Sequence, residues 1–521
     1  MAELAPEEAA RLVAMLEAIV ADRSLLAVLP ASQRMALMMA AGRVSRPTRD
    51  ENRKAAKAFR LVRRRGEQAH DRGVRAATEL RVARRLDVFE PPPALPPGAH
   101  APSDAGELMQ PRACYVCKTE FKKVHFFYDA MCATCADLNY GKRFQTASLE
   151  GRVALITGAR LKIGYQAALM MLRAGARVVV TTRFPRDAAS RYAREADFDA
   201  WKDRLEVHGL DLRHAPSVEV FARYLTETLP RLDILINNAA QTVRRPAGFY
   251  AHLVDRETRP DLELPDGVRA TLRAHEECKA ALGDAMSTLS PAFGEGSPDR
   301  LAVGAAGGFV AWRGQGPGTG IRSSALLSQV PCAFDDASRD DEVFPKGRTD
   351  ADLQQIDLRV MNSWRMTLSQ VPSPEMLEVQ LVNAVAPFIL CSKLKELMLR
   401  DPTFEKHIVN VSAMEGQFAR RTKTDKHPHT NMAKAALNMM TLTSAPDYAA
   451  GGIFMNAVDT GWVTDEDPAA LSARKRDAHD FQPPLDIVDG AARVCDPFFS
   501  GLLTGEHVWG KFLKDYAPAP W

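Results

Sequence analysis

Four cysteines stand in two pairs, Cys114-Tyr-Val-Cys117 and Cys132-Ala-Thr-Cys135, with 14 residues between the pairs. Two residues between thiolates let one turn aim both sulfurs at a shared point. Two such turns meeting close a tetrahedron around Zn²⁺ with no open position. A closed site does no chemistry, so its expected role is to fold a piece too small for its own core. A redox pair or unliganded thiols are the alternatives. His125, beside Phe126 and Phe127, is either a substitute ligand or a packing residue.

A second constellation follows. Val153-Ala-Leu-Ile-Thr157 reads as an apolar strand, and Gly158-Ala-Arg-Leu-Lys-Ile-Gly164 turns into a helix over Tyr165–Ala174. Glycines at such a turn let the backbone approach a pyrophosphate, and the helix N-terminus offers free N–H groups and a positive dipole end. A strand at Arg177–Thr182, Asp211-Leu212 after a third strand, and Asp233–Ala240 as a fourth extend the pattern. An acid ending the second strand would bind the ribose 2′-hydroxyl of NAD and repel a 2′-phosphate. That place reads Thr181-Thr182-Arg183, with Arg160 in the glycine turn. Two arginines able to grip a phosphate favour NADP over NAD; the alternative for Arg183 is an ordinary surface residue.

Together these residues resemble the short-chain dehydrogenase/reductase family. Thr157–Gly164 is similar to its TGxxxGIG loop and Asn237–Ala240 to its NNAG stretch. The likeness runs on through Asn383 in LVNAVAPF, His407–Gly416, Lys434 in NMAKAAL and Gly461 in MNAVDTGWVT. The resemblance implies that Thr157, Gly158, Ile163 and Gly164 form the diphosphate turn and that Asp211 and Leu212 flank the adenine. It also implies that Asn238 and Ala239 line the ribose side, that Lys434 binds the nicotinamide ribose, and that Gly461 and Thr464 meet the nicotinamide. Lys162 takes the place of the middle glycine.

In the family a tyrosine transfers the proton, a lysine four residues later lowers its pKa, a serine orients the substrate oxygen and an asparagine holds a relay water. Asn383 and Lys434 match. The tyrosine position is Thr430 and the serine position is Ala413, with Ser412 one residue off and facing the other way. A threonine hydroxyl is far less acidic than a phenol, whose pKa is about 10. Three routes stay open: His429 or His427 serves instead, the segment holding Glu415 and Asp425 supplies the acid, or the domain binds a dinucleotide without hydride chemistry. His427 falls seven residues before Lys434, where the family's enoyl-reductase branch has its tyrosine. The implied activity is NAD(P)-dependent oxidation or reduction of a small carbonyl or alcohol with an altered proton donor. The alternative is a catalytically degenerate regulatory or interaction module.

Alternating strand-like and helix-like segments must position these groups. They define an α/β fold, a Rossmann-type doubly wound parallel sheet with a large insertion, plus a small zinc-binding module and an N-terminal helical region. The expected divisions are a basic helical region over 1–90, a Pro-rich linker over 91–110, the zinc module over 111–146, and the large domain over 150–521 with its insertion over 247–372. In the insertion a helix is expected at Val268–Leu289 and another near Asp357, with a glycine-rich stretch at Gly304–Gly320 and an acidic loop at Asp335–Glu342. Leu12, Val13, Leu16 and Val20 mark an amphipathic helix. Hydrophobic residues make up 46% of the 521, which suits a sizeable core. A mean hydropathy of -0.22 and an acidic start argue against a membrane or secreted protein and for a cytoplasmic one. The net charge of +3 conceals a local excess: residues 43–85 carry 15 Lys or Arg against five acids. Such a stretch suits nucleic acid or an acidic macromolecule, or is a solvated helical face. The family resemblance implies a homo-oligomer.

Overall fold

In the computed structural model, which describes residues 5–93, 104–258, 264–289, 318–330, 342–420 and 422–521, the chain divides into two units, Met1–Asp71 and Arg72–Trp521. The first holds helices Pro6–Ala21, Ala31–Ser45 and most of Arg49–Ala76. Leu12, Val13 and Val20 do share a helix, yet they are 58%, 53% and 80% exposed, and none of these three helices contains a buried residue. The basic stretch is not one surface. Its cations as far as Arg65 are exposed. Arg75, Arg81 and Arg84 are spent inside the second unit, on Asp480 at 2.9 Å, Asp129 at 2.6 Å and the Leu485 carbonyl at 2.6 Å.

Strands β1 (Gly106–Ala113) and β2 (Glu120–Val124) form an antiparallel hairpin that begins inside the stretch read as linker. Leu108 explains the earlier start, because its side chain is buried with Phe121, Val124, Phe127, Tyr128 and Met131. Val463 and Leu485 of the large domain complete that core, so the cysteine module is fused to the sheet rather than tethered to it. The junction is also ionic. Arg143, at the end of helix Ala133–Arg143, meets Asp486 at 2.6 Å and Asp489 at 2.9 Å with no exposed side-chain surface, and Tyr128 Oη donates to Asp489 at 2.5 Å.

The large sheet contains β3 (Val153–Thr157), β4 (Arg177–Thr182), β5 (Leu205–Gly209), β6 (Ile234–Asn237), β7 (Lys406–Ser412), β8 (Ile453–Asp459), β9 (Phe512–Lys514) and β10 (Ala517–Ala519). Their order is β10-β9-β8-β7-β6-β3-β4-β5, and every neighbouring pair is parallel except β10–β9. Every residue of β3 and β7 is buried, as parallel strands covered by helices on both faces must be. The chain builds outward from β3 through β4 to β5, then returns to lay β6 on the other side of β3. That reversal opens a crevice beyond the carboxyl ends of β3 and β6, where doubly wound sheets bind ligands.

The insertion leaves β6 through helix Ala247–Thr258, and the helix expected at Val268–Leu289 is present as Asp266–Leu289. The run near Asp357 is not helical. The Asp357 carboxylate accepts the Arg359 N–H at 3.0 Å, a local turn that competes with helix. Residues 304–317 of the glycine-rich stretch and 335–341 of the acidic loop lie outside the described residues. Helical residues Ser373–Leu399 are long and apolar enough to cross a bilayer by length and composition, but half of that stretch is buried within this fold. Replacing Arg143 by Met leaves two buried carboxylates without their cation and should cost about 3–5 kcal/mol in urea denaturation, against under ~0.5 kcal/mol for Arg65→Ala.

Candidate active site

The turn after β3 is held by close contact. Gly158 has φ +69°, and a Cβ there would lie 2.8 Å from Ala239 Cα. A Cβ on Gly164 would lie 2.3 Å from Asn238 Nδ2 and 2.5 Å from the Gly158 carbonyl. Thr157 and Asn238 lock the two loops together: Thr157 Oγ1 accepts the Asn238 and Ala239 N–H groups, and Asn238 Nδ2 donates to the Thr157 and Gly158 carbonyls. Lys162 stands at φ +55°, in the left-handed region that favours glycine, and its Nζ reaches to 3.7 Å from Asp352 of the insertion. The helix begins at Lys162, three residues before the expected Tyr165.

A cavity of about 1060 Å³ opens on this turn. Gly158, Arg160, Ile163, Gly164, Arg183, Asp211, Leu212, Asn238, Ala239, Ser412, Lys434, Gly461 and Thr464 all line it. The two arginines differ in availability. Arg160 Nη1 is 2.7 Å from buried Asp187, so its charge is matched within the fold. Arg183 donates to Tyr250 Oη at 2.7 Å and lies over that ring, with no carboxylate paired to it among the described residues. Tyr250 comes from the insertion, which thereby walls the cavity.

Thr157, Asn383, His429 and Thr430 do not line the cavity. Asn383 sits in a π-turn, where Oδ1 accepts the Gln241 N–H at 2.7 Å and Nδ2 donates to the Gln241 carbonyl at 3.2 Å. It clamps the loop after β6. His429 Nε2 lies 3.5 Å from Glu375 in the protein interior. His427 lines the cavity instead. Five residues along the helix leave His429 on the side away from Lys434, whereas His427 stands just ahead of the helix in a left-handed turn, at φ +41° and ψ +50°. His427 stacks on Trp364 with ring centroids 3.9 Å apart and an angle of 5°. Thr430 Oγ1 donates to the His427 carbonyl at 2.8 Å and lies 3.1 Å from His427 Nδ1. Ser412 Oγ donates its hydrogen to Asn438 Oδ1 at 2.5 Å.

Lys434 Nζ donates to the Val411 carbonyl at 2.7 Å, and burial lowers its pKa to about 8. Asp459, on the end of β8 two residues before Gly461, faces the same cavity, and burial lifts its pKa to about 6. Burial likewise lowers the pKa of His427. Sequence reasoning gave Asp459 no role. It missed Tyr115, Trp364 and Tyr250, which stand on three separate segments and carry no local spacing signal.

The ligand atoms of Cys114, Cys117, Cys132 and Cys135 lie within 4.8 Å of one another, with 3.7 Å between the Cys117 and Cys132 sulfurs. A ZnS₄ tetrahedron with 2.3 Å bonds has edges of ~3.8 Å, so the donor set and spacing fit the metal. His125 is a packing residue: its Nδ1 accepts the Phe127 N–H at 3.1 Å.

A doubly wound sheet with a glycine turn at its switch point defines a dinucleotide-binding α/β protein. A sequence profile described as short chain dehydrogenase matches residues 152–256. An uncharacterised protein of Acanthamoeba polyphaga mimivirus is 30% identical over 399 residues, spanning 74% of this chain and 71% of that protein. Dehydrogenase/reductase SDR family member 13 of Bos taurus is 41% identical over 93 residues, where the match spans 18% of this chain and 24% of that protein. Among solved structures, the RhlG/NADP active-site complex of Pseudomonas aeruginosa is similar with a TM-score of 0.40 and 18% identity, covering 70% of this chain and 95% of that one. Residues 152–256 thus carry the short-chain dehydrogenase/reductase signature.

Asp459 gives a pH test. Its folded pKa lies above the ordinary 3.8, so its contribution to stability falls as pH rises from about 4 to 6, and the full cost is present above 6. Asp459→Asn should therefore gain about 1–3 kcal/mol at pH 7.5 and much less at pH 4.5, measured by denaturant unfolding at both.

Proposed function

We propose that the chain is an NADP(H)-dependent oxidoreductase acting on a carbonyl or alcohol, in which His427 takes the place of the absent tyrosine. The observation that carries this reading is that His427 and Lys434 both face the cavity, while Thr430 and His429 do not. The close contacts at Gly158 and Gly164 draw the turn tight and leave its backbone at the cavity surface, a cradle that suits a diphosphate. Reduced NADP in that cradle would supply a hydride to the substrate. Arg183 supports a 2′-phosphate, and the Lys434 ammonium, still mostly protonated at neutral pH, would bind the nicotinamide ribose.

The proton role follows from the hydroxyl beside the ring. Thr430 Oγ1 gives its one hydrogen to the His427 carbonyl, so in the 3.1 Å contact Nδ1 is the donor. The neutral ring then keeps a lone pair on Nε2. In alcohol oxidation that atom accepts the hydroxyl proton; in carbonyl reduction it must first be protonated. Because burial lowers the pKa of His427, reduction should be fastest on the acid side of neutrality.

One set of contacts favours the degenerate, non-catalytic alternative: Ser412 and Asn383 both spend their polar atoms inside the fold. In that reading the exposed cations of Arg49–Arg65 serve an acidic macromolecule. We also read the four cysteines as a structural zinc site. Exposed Leu377 and Phe388, with Met432 and Met439, suit pairing with a second copy. With NADPH and a graded panel of aldehydes and ketones followed at 340 nm, His427→Gln should lose about 10²–10⁴-fold in kcat while NADPH affinity stays within about threefold. Unchanged kcat would remove the role of His427, and no turnover by the wild type would favour the alternative.

A further inference from the structure

The four-cysteine loop contributes to the cavity wall. Tyr115 and Val116, between the first two cysteines, and Lys118 just beyond them all line it. The loop is fixed on both sides: the Cys114 N–H donates to the Thr119 carbonyl at 2.8 Å, and the Tyr115 N–H donates to the Ala130 carbonyl at 2.8 Å. Tyr115 Oη then accepts the Trp462 N–H at 2.9 Å. It lies against Gly461, where a Cβ would come within 3.2 Å of that oxygen, and Gly461 has φ +74°. Lys514 Nζ sits 5.6 Å from the centre of the ring. A phenol that accepts one hydrogen bond still has its own hydrogen to give. Among the described residues nothing takes it.

The position where the resembled family has its substrate-orienting serine supplies no such hydrogen. Ala413 has no hydroxyl, and the Ser412 hydrogen is committed to Asn438. We propose that Tyr115, carried on the four-cysteine loop, donates a hydrogen bond to the ligand oxygen seated at the Gly461–Thr464 end of the cleft. The metal-binding module is then part of the binding site as well as a folding unit. Two oxygens share the required chemistry, the carboxamide of the nicotinamide and the carbonyl of the substrate. This inference rests on the NADP(H) reading above.

The test uses full-length, zinc-containing protein and Tyr115→Phe, with zinc content and melting temperature confirming that the variant is folded. NADPH and 2′-phospho-ADP-ribose, which lacks the nicotinamide, are titrated into both. The carbonyl compound that the wild type turns over fastest supplies KM and kcat. Loss of one neutral hydrogen bond corresponds to about 3–10-fold. If the carboxamide accepts, NADPH Kd rises by that factor while 2′-phospho-ADP-ribose binds as before. If the substrate accepts, NADPH Kd holds and KM rises. Without turnover of any compound, the NADPH comparison alone decides. Equal weakening of both nucleotides, or no change in Kd, KM or kcat beyond twofold, overturns the inference. A wild type that binds no NADPH removes the underlying reading as well, whereas normal NADPH binding by an indistinguishable variant removes only the role of Tyr115.

Discussion

At Gly158 the chain passes Ala239 so closely that no methyl group fits between them, and at Gly164 the Asn238 side chain fills the remaining space. Everything at the crevice depends on that approach. It draws the exits of β3 and β6 together, with Thr157 hydroxyl and Asn238 amide hydrogen bonds fastening the seam. Helix Lys162–Arg173 then starts at the crevice with its N-terminal N–H groups directed toward it. A side chain at either glycine would have to displace backbone, which a packed α/β core resists.

The cysteine module is bound to the same place. Ile163, in the glycine turn, packs against both the sheet core and the module core. Buried Arg143, held by Asp486 and Asp489, ties the module to the helix beginning at Ile487. A charge so deeply buried is tolerated only with its counter-ions in place, so the junction is specific in geometry. The placement of Tyr115 follows from this fusion.

Much of the sheet was legible in the sequence because each buried strand is a short apolar run bounded by a turn, and the family motifs fall at strand ends. The glycine turn and the cysteine cluster were likewise readable from spacing, and Lys434 from the family resemblance. The choice between His427 and His429 was not. Both are histidines near Lys434, and what separates them is the left-handed turn that sets His427 just ahead of the helix, with Trp364 arriving from the insertion. Asn383 matched its motif by letter, yet its amide clamps Gln241, a partner 142 residues away. The reach of the insertion to Arg183 through Tyr250, and of the cysteine loop to Trp462 through Tyr115, depends on tertiary packing that local periodicity does not encode.

The most direct measurement is calorimetric titration of the zinc-loaded protein with NADPH, alongside Gly164→Ala. The account predicts one binding event per chain for the wild type and none for the variant, whose zinc content and secondary structure persist. Heat of equal size and affinity from both proteins would contradict it, because the close-packed turn would then not be the place where the dinucleotide binds.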